Sequence, residues 1–115
     1  MNQERSHEEW TEQIKKDIAD NHIFVYAKGE KNLPVCGFSA RVMQVFNHLN
    51  VPYEVRNIFT DANMRPALCA FSNWPTTPQV FINGEFVGGC DIVTEMFESG
   101  ELQQMIEKTA PQTQD

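Results

Sequence analysis

Trp10, Ile14 and Ile18 recur every four residues through the charged segment EEWTEQIKKDIAD, which predicts an amphipathic helix over 8–20. The period then changes. Residues 23–27, IFVYA, are continuously apolar and rich in β-formers, as expected for a buried central strand bounded by Lys28-Gly29. A polar loop, GEKNLPV, leads to Cys36, and from Gly37 to Leu49 the positions Phe38, Val42, Val45, Phe46 and Leu49 return to helical spacing. Val51-Pro52 ends that helix, and YEVRNI alternates as a second strand with Pro52 at its entrance. Asp61 is placed to cap a third helix of about ten residues, with Met64, Leu68 and Phe71 on one face and Pro66 near its first turn. After the turn WPTTP, QVFI reads as a strand, Asn83-Gly84 as a hairpin turn and EFVGG as the returning strand. Asp91 is placed to cap a helix running through Met96-Phe97. Gly100 interrupts it, ELQQMIEKT forms a last helical segment, and 110–115 is a polar tail.

The order α-β-α-β-α-β-β-α(-α) has no internal repeat or linker. Two βα units followed by a hairpin and a helix predict an α/β fold, with a small mixed four-stranded sheet flanked by helices on both faces. A length of 115 residues is expected to form a single domain, with the core over about 10–109.

Charge narrows the classes of partner. Nine basic residues against sixteen acidic ones, a net of -7, argue against nucleic acid or an anionic membrane surface. The segment MNQERSHEEWTEQIKKD has no apolar leader and is too acidic for a transit peptide, and no run of apolar residues is long enough to span a bilayer. The expectation is a cytoplasmic protein, with an organelle matrix after processing as the alternative. Three cysteines, an odd number in unlike contexts, do not form a secreted disulfide framework, and His7, His22 and His48 match no close-spaced zinc pattern.

Cys36 is the candidate reactive residue. It follows a loop and opens a helix, where unpaired N–H groups and the helix dipole favour a thiolate, with Lys28 and Arg41 as nearby cations. The competing reading is a buried structural cysteine, for which a Pro-x-Cys-Gly loop is a poor place. In LPVCGFSARV, Ser39 stands where a Cys-x-x-Cys loop would carry its second thiol, so resolution within the loop is closed. A one-cysteine cycle with an external thiol, or metal ligation, remains open.

Other segments supply binding groups. WPTTPQ reads either as a rigid connection or as a turn exposing the Thr77 backbone to an extended ligand, with trans the commoner isomer for Thr77-Pro78. In GGCD the backbone N–H groups of Cys90 and Asp91 suit a carboxylate, and the Asp91 carboxylate suits an amine; the plainer role for Asp91 is a helix cap. Lys28 and Arg65, ordinary surface charges by default, open or follow elements whose ends fall near Cys36, and together suit a second carboxylate. A ligand with a carboxylate at each end, one α-amine, a peptide middle and a thiol describes glutathione. Cys69 reads as structural, away from the reactive loop.

Taken together, Lys28-Gly29, Pro34, Cys36-Gly37-Phe38-Ser39, Trp74-Pro75-Thr76, Pro78-Gln79, Asn83-Gly84 and Gly88-Gly89-Cys90-Asp91 make the chain resemble the monothiol glutaredoxins of the Cys-Gly-Phe-Ser type over about residues 10–109. The resemblance implies a thioredoxin-like (glutaredoxin) fold, a cis-proline at Pro78 and a glutathione site beside Cys36. Lys28 and Arg65 would meet the glycyl carboxylate, Thr77 the cysteinyl backbone, and Cys90 with Asp91 the γ-glutamyl end. It further implies a [2Fe–2S] cluster bridging a homodimer through Cys36 and glutathione, passed to iron–sulfur apoproteins, and mixed dimers with BolA-like proteins. Two positions depart from the common pattern. Glu30 is expected to add negative charge near the thiolate, and Thr77 replaces a bulkier apolar residue. Two other readings remain open: a glutathione-dependent oxidoreductase using Cys36 alone, and a redox module pairing Cys36 with Cys69 or Cys90.

Overall fold

The computed structural model describes residues 4–111. Helix α1 (His7–Asp20) begins in a capping box: the Glu9 N–H donates to Ser6 Oγ at 3.0 Å, and the Ser6 N–H donates to Glu9 Oε1 at 2.8 Å. Its Trp10, Ile14 and Ile18 stripe is buried. Strand β1 (Ile23–Ala27) is buried at every residue because it is central and covered on both sides.

The sheet order is β4-β1-β5-β6, with β4 (Glu54–Asn57) parallel to β1, and β5 (Gln79–Ile82) and β6 (Glu85–Gly88) antiparallel. Alternation along β1 divides the core. Ile23, Val25 and Ala27 pack with α2 (Gly37–Leu49), α4 (Cys90–Ser99) and α5 (Glu101–Thr109), while Phe24 and Tyr26 pack with α1 and α3 (Met64–Ser72). This is the mixed four-stranded sheet with helices on both faces that the sequence predicts. The hairpin turn Asn83-Gly84 has both residues at positive φ, 55° and 81°, the geometry that Asn-Gly supplies with little strain.

Beneath this face lies a buried ionic knot. Asp17 accepts from Arg56 Nε at 2.8 Å and Nη2 at 2.9 Å, from Tyr26 Oη at 2.8 Å and from Gln13 Nε2 at 2.8 Å. Burial, reinforced by the Asp17 carboxylate, pushes the Tyr26 phenol far up from its ordinary value, so it stays a donor.

Several sequence expectations change. The segment after Gly29 is not plain loop: β2 (Gly29–Glu30) pairs antiparallel with β3 (Leu33–Pro34). A β-carbon on Gly29, at φ 110°, would lie 2.5 Å from the Leu33 carbonyl oxygen, so the tight pair requires glycine. Asp61 does not cap α3, whose cap position is Asn63; the Asp61 carboxylate instead accepts from the Asn63 N–H at 2.9 Å and the Arg5 N–H at 2.9 Å, anchoring a turn and the segment before α1. Asp91 is likewise not the cap of α4. Gly89 holds that position and Asp91 lies in the first turn. Phe38 belongs to α2 by period but is 63% exposed, while its neighbour Ser39 in the same first turn is buried. Phe71 also sits at the margin of the buried face of α3. Of the tail 110–115, residues 112–115 lie outside the described residues.

Candidate functional site

The Cys36 sulfur is itself the N-cap of α2. Sγ accepts from the Ser39 N–H at 3.4 Å, a place usually taken by a Ser, Thr or Asp oxygen. Ser39 is fully buried and bonds on two sides: Oγ accepts the Lys28 N–H at 3.0 Å and lies 3.4 Å from Cys36 Sγ. When the sulfur is ionised, the Ser39 hydroxyl proton has that sulfur as its acceptor. Partial burial pushes the thiol up, but the Ser39 hydroxyl, the backbone N–H groups of Ser39 and Phe38, and the Lys28 charge outweigh it and hold Cys36 below the ordinary thiol range. Position 39 thus carries a thiolate donor, a role that the sequence reading, concerned with the missing thiol, does not reach.

Three apolar side chains of the segment that carries Cys36 are exposed: Leu33, 71%, Val35, 68%, and Phe38. Beside them lies a groove of about 380 Å³ lined by Lys28, Phe38, Arg65, Trp74, Thr76, Thr77, Pro78 and the turn Gly89–Ile92. The fold therefore gathers Lys28 from the end of β1, Arg65 from α3, Thr77 from the turn before β5, and Cys90 and Asp91 from the start of α4. All five non-Cys36 candidates share one depression, and Cys36 caps the helix that supplies its Phe38 wall.

The groove is held from behind. Gln79, fully buried, donates Nε2 to the carbonyls of Trp74 and Thr76, each at 3.1 Å. Arg65 Nη2 donates to the Pro75 carbonyl at 2.9 Å, and the Thr77-Pro78 bond is cis, as the resemblance implies. Cys69 is closer to this region than its helical position implies: its Sγ lies 3.9 Å from Gln79 Nε2, one turn beyond Arg65. Glu30 departs the other way. It accepts from Asn57 Nδ2 at 3.0 Å and lies along β4, away from the groove. Gly89 permits close approach at the α4 end, since a β-carbon there would sit 3.3 Å from the Pro78 carbonyl.

Residues 23–87 match the glutaredoxin family. An uncharacterised monothiol glutaredoxin of Synechocystis is 48% identical over 78% of this chain and 84% of its own, and Glutaredoxin 4 of Pasteurella multocida is 45% identical over 89% and 94%. The chain is a monothiol glutaredoxin.

Solved structures agree with this family. The reduced apo form of poplar GrxS14 superposes with a TM-score of 0.77 at 43% identity, covering 85% of this chain and 90% of that one. A buckwheat glutaredoxin–glutathione complex gives a TM-score of 0.80 at 25% identity over 90% and 92%. In this monothiol glutaredoxin the groove and the capping sulfur are formed from the family's own motifs. In the groove lining, the buried Thr77 hydroxyl has no hydrogen-bond partner among the described residues.

Proposed function

We propose that this monothiol glutaredoxin binds glutathione and carries a [2Fe–2S] cluster to acceptor apoproteins in the cytoplasm. The observation that carries the reading is a single depressed thiol, with a buried hydroxyl in place of a second one, beside a groove that gathers two cations, a turn backbone and an open helix start. Lys28 and Arg65 suit the glycyl carboxylate of glutathione, the Thr77 backbone its cysteinyl unit, and the Cys90–Asp91 turn its γ-glutamyl end. The buckwheat relative solved with glutathione supports that choice of ligand.

The cluster is cargo, and the ligand count favours a shared site. A two-iron cluster takes four terminal ligands, usually thiolates. Cys36 from each of two copies gives two, and two glutathione thiolates complete the set. Among the described residues no three His, Cys, Asp or Glu side chains converge to hold a metal, which favours bridging over a site within one chain. A BolA-like protein with a histidine could replace one copy and its glutathione.

Anaerobic reconstitution with iron and sulfide, with and without glutathione, tests this. The expected result is a glutathione-dependent two-iron chromophore in a species of twice the chain mass, absent in Cys36→Ser. A colourless monomer under both conditions would refute it.

The depressed pKa of Cys36 also favours a second reading, glutathione-dependent reduction of mixed disulfides. The Cys36 thiolate attacks the glutathione sulfur of a protein–glutathione disulfide, and the protein thiolate leaves. A second glutathione thiolate then attacks the Cys36 adduct, releasing glutathione disulfide and restoring Cys36. Turnover by the colourless monomer would select this reading.

A further inference from the structure

Strands β1 and β4 run parallel and stop side by side, with Ala27 in register with Asn57. The ladder between them ends there, and Lys28-Gly29 leads directly into the β2–β3 hairpin and on to Cys36. The Asn57 side chain takes over where the ladder stops. Its Oδ1 accepts from the Gly29 N–H at 3.1 Å and from the Phe59 N–H at 3.0 Å, and its Nδ2 donates to Glu30 Oε2 at 3.0 Å. One amide thus joins the end of β4, the short helical turn Ile58–Thr60 and β2. The bond to Phe59 is an ordinary cap of that turn. The bond to Gly29 is not required by a cap, and Gly29 is buried, so its N–H has little recourse to water if this acceptor is lost.

The same stretch of backbone reaches the thiol. The preceding N–H, that of Lys28, donates to Ser39 Oγ at 3.0 Å, and Ser39 Oγ lies 3.4 Å from Cys36 Sγ. A hydroxyl has one proton to give. With the Lys28 N–H on its oxygen, Ser39 is polarised as a donor and its proton is left for the sulfur. Hydrogen bonds and adjoining peptide units therefore connect Asn57 to Gly29, Lys28, Ser39 and Cys36 in turn.

We propose that Asn57 is a positioning residue for the reactive thiol: its side-chain oxygen fixes the Lys28-Gly29 backbone, which in turn sets the Ser39 hydroxyl on Cys36. Asn57 does not line the groove, and the inference holds whichever ligand the groove takes. It gives β4, a strand outside every motif of the site, a part in the chemistry of Cys36.

The pH profile of iodoacetamide alkylation tests it, read on the Cys36 peptide by mass spectrometry after reaction of the whole chain. Asn57→Ala removes no charge, and it should move the midpoint up by about half a pH unit, with alkylation about threefold slower on the acid side. Asn57→Ser keeps an oxygen to cap the Phe59 N–H on a shorter side chain that retreats from Gly29. It should hold thermal stability near wild type and still shift the profile, which separates positioning from capping. In a Ser39→Ala background neither substitution should add a further shift, because the link through which they act is gone. A wild-type midpoint in either Asn57 variant would overturn the inference. A shift that survived on top of Ser39→Ala would report a displaced Glu30 charge instead, and would overturn it as well.

Discussion

Two helix starts face each other across Phe38, and they are finished in opposite ways. The α2 end is closed by the protein's own sulfur, with Ser39 and Lys28 arranged so that the charge there is internal. The α4 end begins at Gly89 with no side-chain cap. One end turns its dipole on a thiol of the chain, whose ionisation it favours, and the other stands open to solvent. An activated thiol and an anion-binding site draw on the same helix-end electrostatics, and in the proposed reading they lie on different helices.

The largest expected effect removes the internal anion. Cys36→Ser should abolish both cluster assembly and disulfide exchange, read by visible absorption, bound iron and turnover, while the hydroxyl still caps α2 and thermal stability changes little. Next comes the geometry of the open end. Gly88 sits at φ 156°, and a β-carbon there would lie 2.8 Å from Ile92 Cβ. Gly88→Ala should cost about 1–3 kcal/mol in urea denaturation and weaken glutathione binding by displacing the first turn of α4.

Ser39→Ala sharpens the contrast from the α2 side. It removes a donor to the thiolate and leaves the Lys28 N–H without its acceptor, a loss of about 1 kcal/mol. The Cys36 pKa should rise, measured as a shift to higher pH in the rate of iodoacetamide alkylation. The sign for stability follows. The wild-type thiol titrates lower folded than unfolded, so its contribution is complete above the unfolded value of about 8.5 and is lost as pH falls through the lowered folded value. Ser39→Ala should flatten the stability–pH curve in that interval. The smallest effect belongs to the open end: Asp91→Ala, an exposed charge, should weaken glutathione by a few-fold with the fold and the alkylation profile unchanged. An unchanged affinity would refute its contact with the amine.

The buried run of β1, the Asn83-Gly84 hairpin and the α1 stripe were legible because each repeats one local signal over several residues. Residues 29–34 were not, since two-residue strands have no period to detect. Asp61 and Asp91 were misplaced as caps because aspartate stabilises an adjoining turn or a helix's first turn as readily as its cap. Of the candidate site, what was legible is that its residues would come together: Lys28, Arg65, Thr77, Cys90 and Asp91 line one groove. Cys36, Lys28, Arg65, Thr77, Cys90 and Asp91 stand at element ends, and element order brings those ends together. Its supports were hidden. Gln79 reads as an ordinary polar strand residue, and only the turn folded over it provides two carbonyls to bury its amide against.

Leu33, Val35 and Phe38, exposed on the segment that carries Cys36, form an apolar collar along the chain about that residue. A visitor that buries the collar also strips water from the thiolate, and an ion left in such a place without compensation is costly. Contact with this surface is therefore costly to a Cys36 thiolate unless the visitor brings hydrogen-bond donors or positive charge of its own.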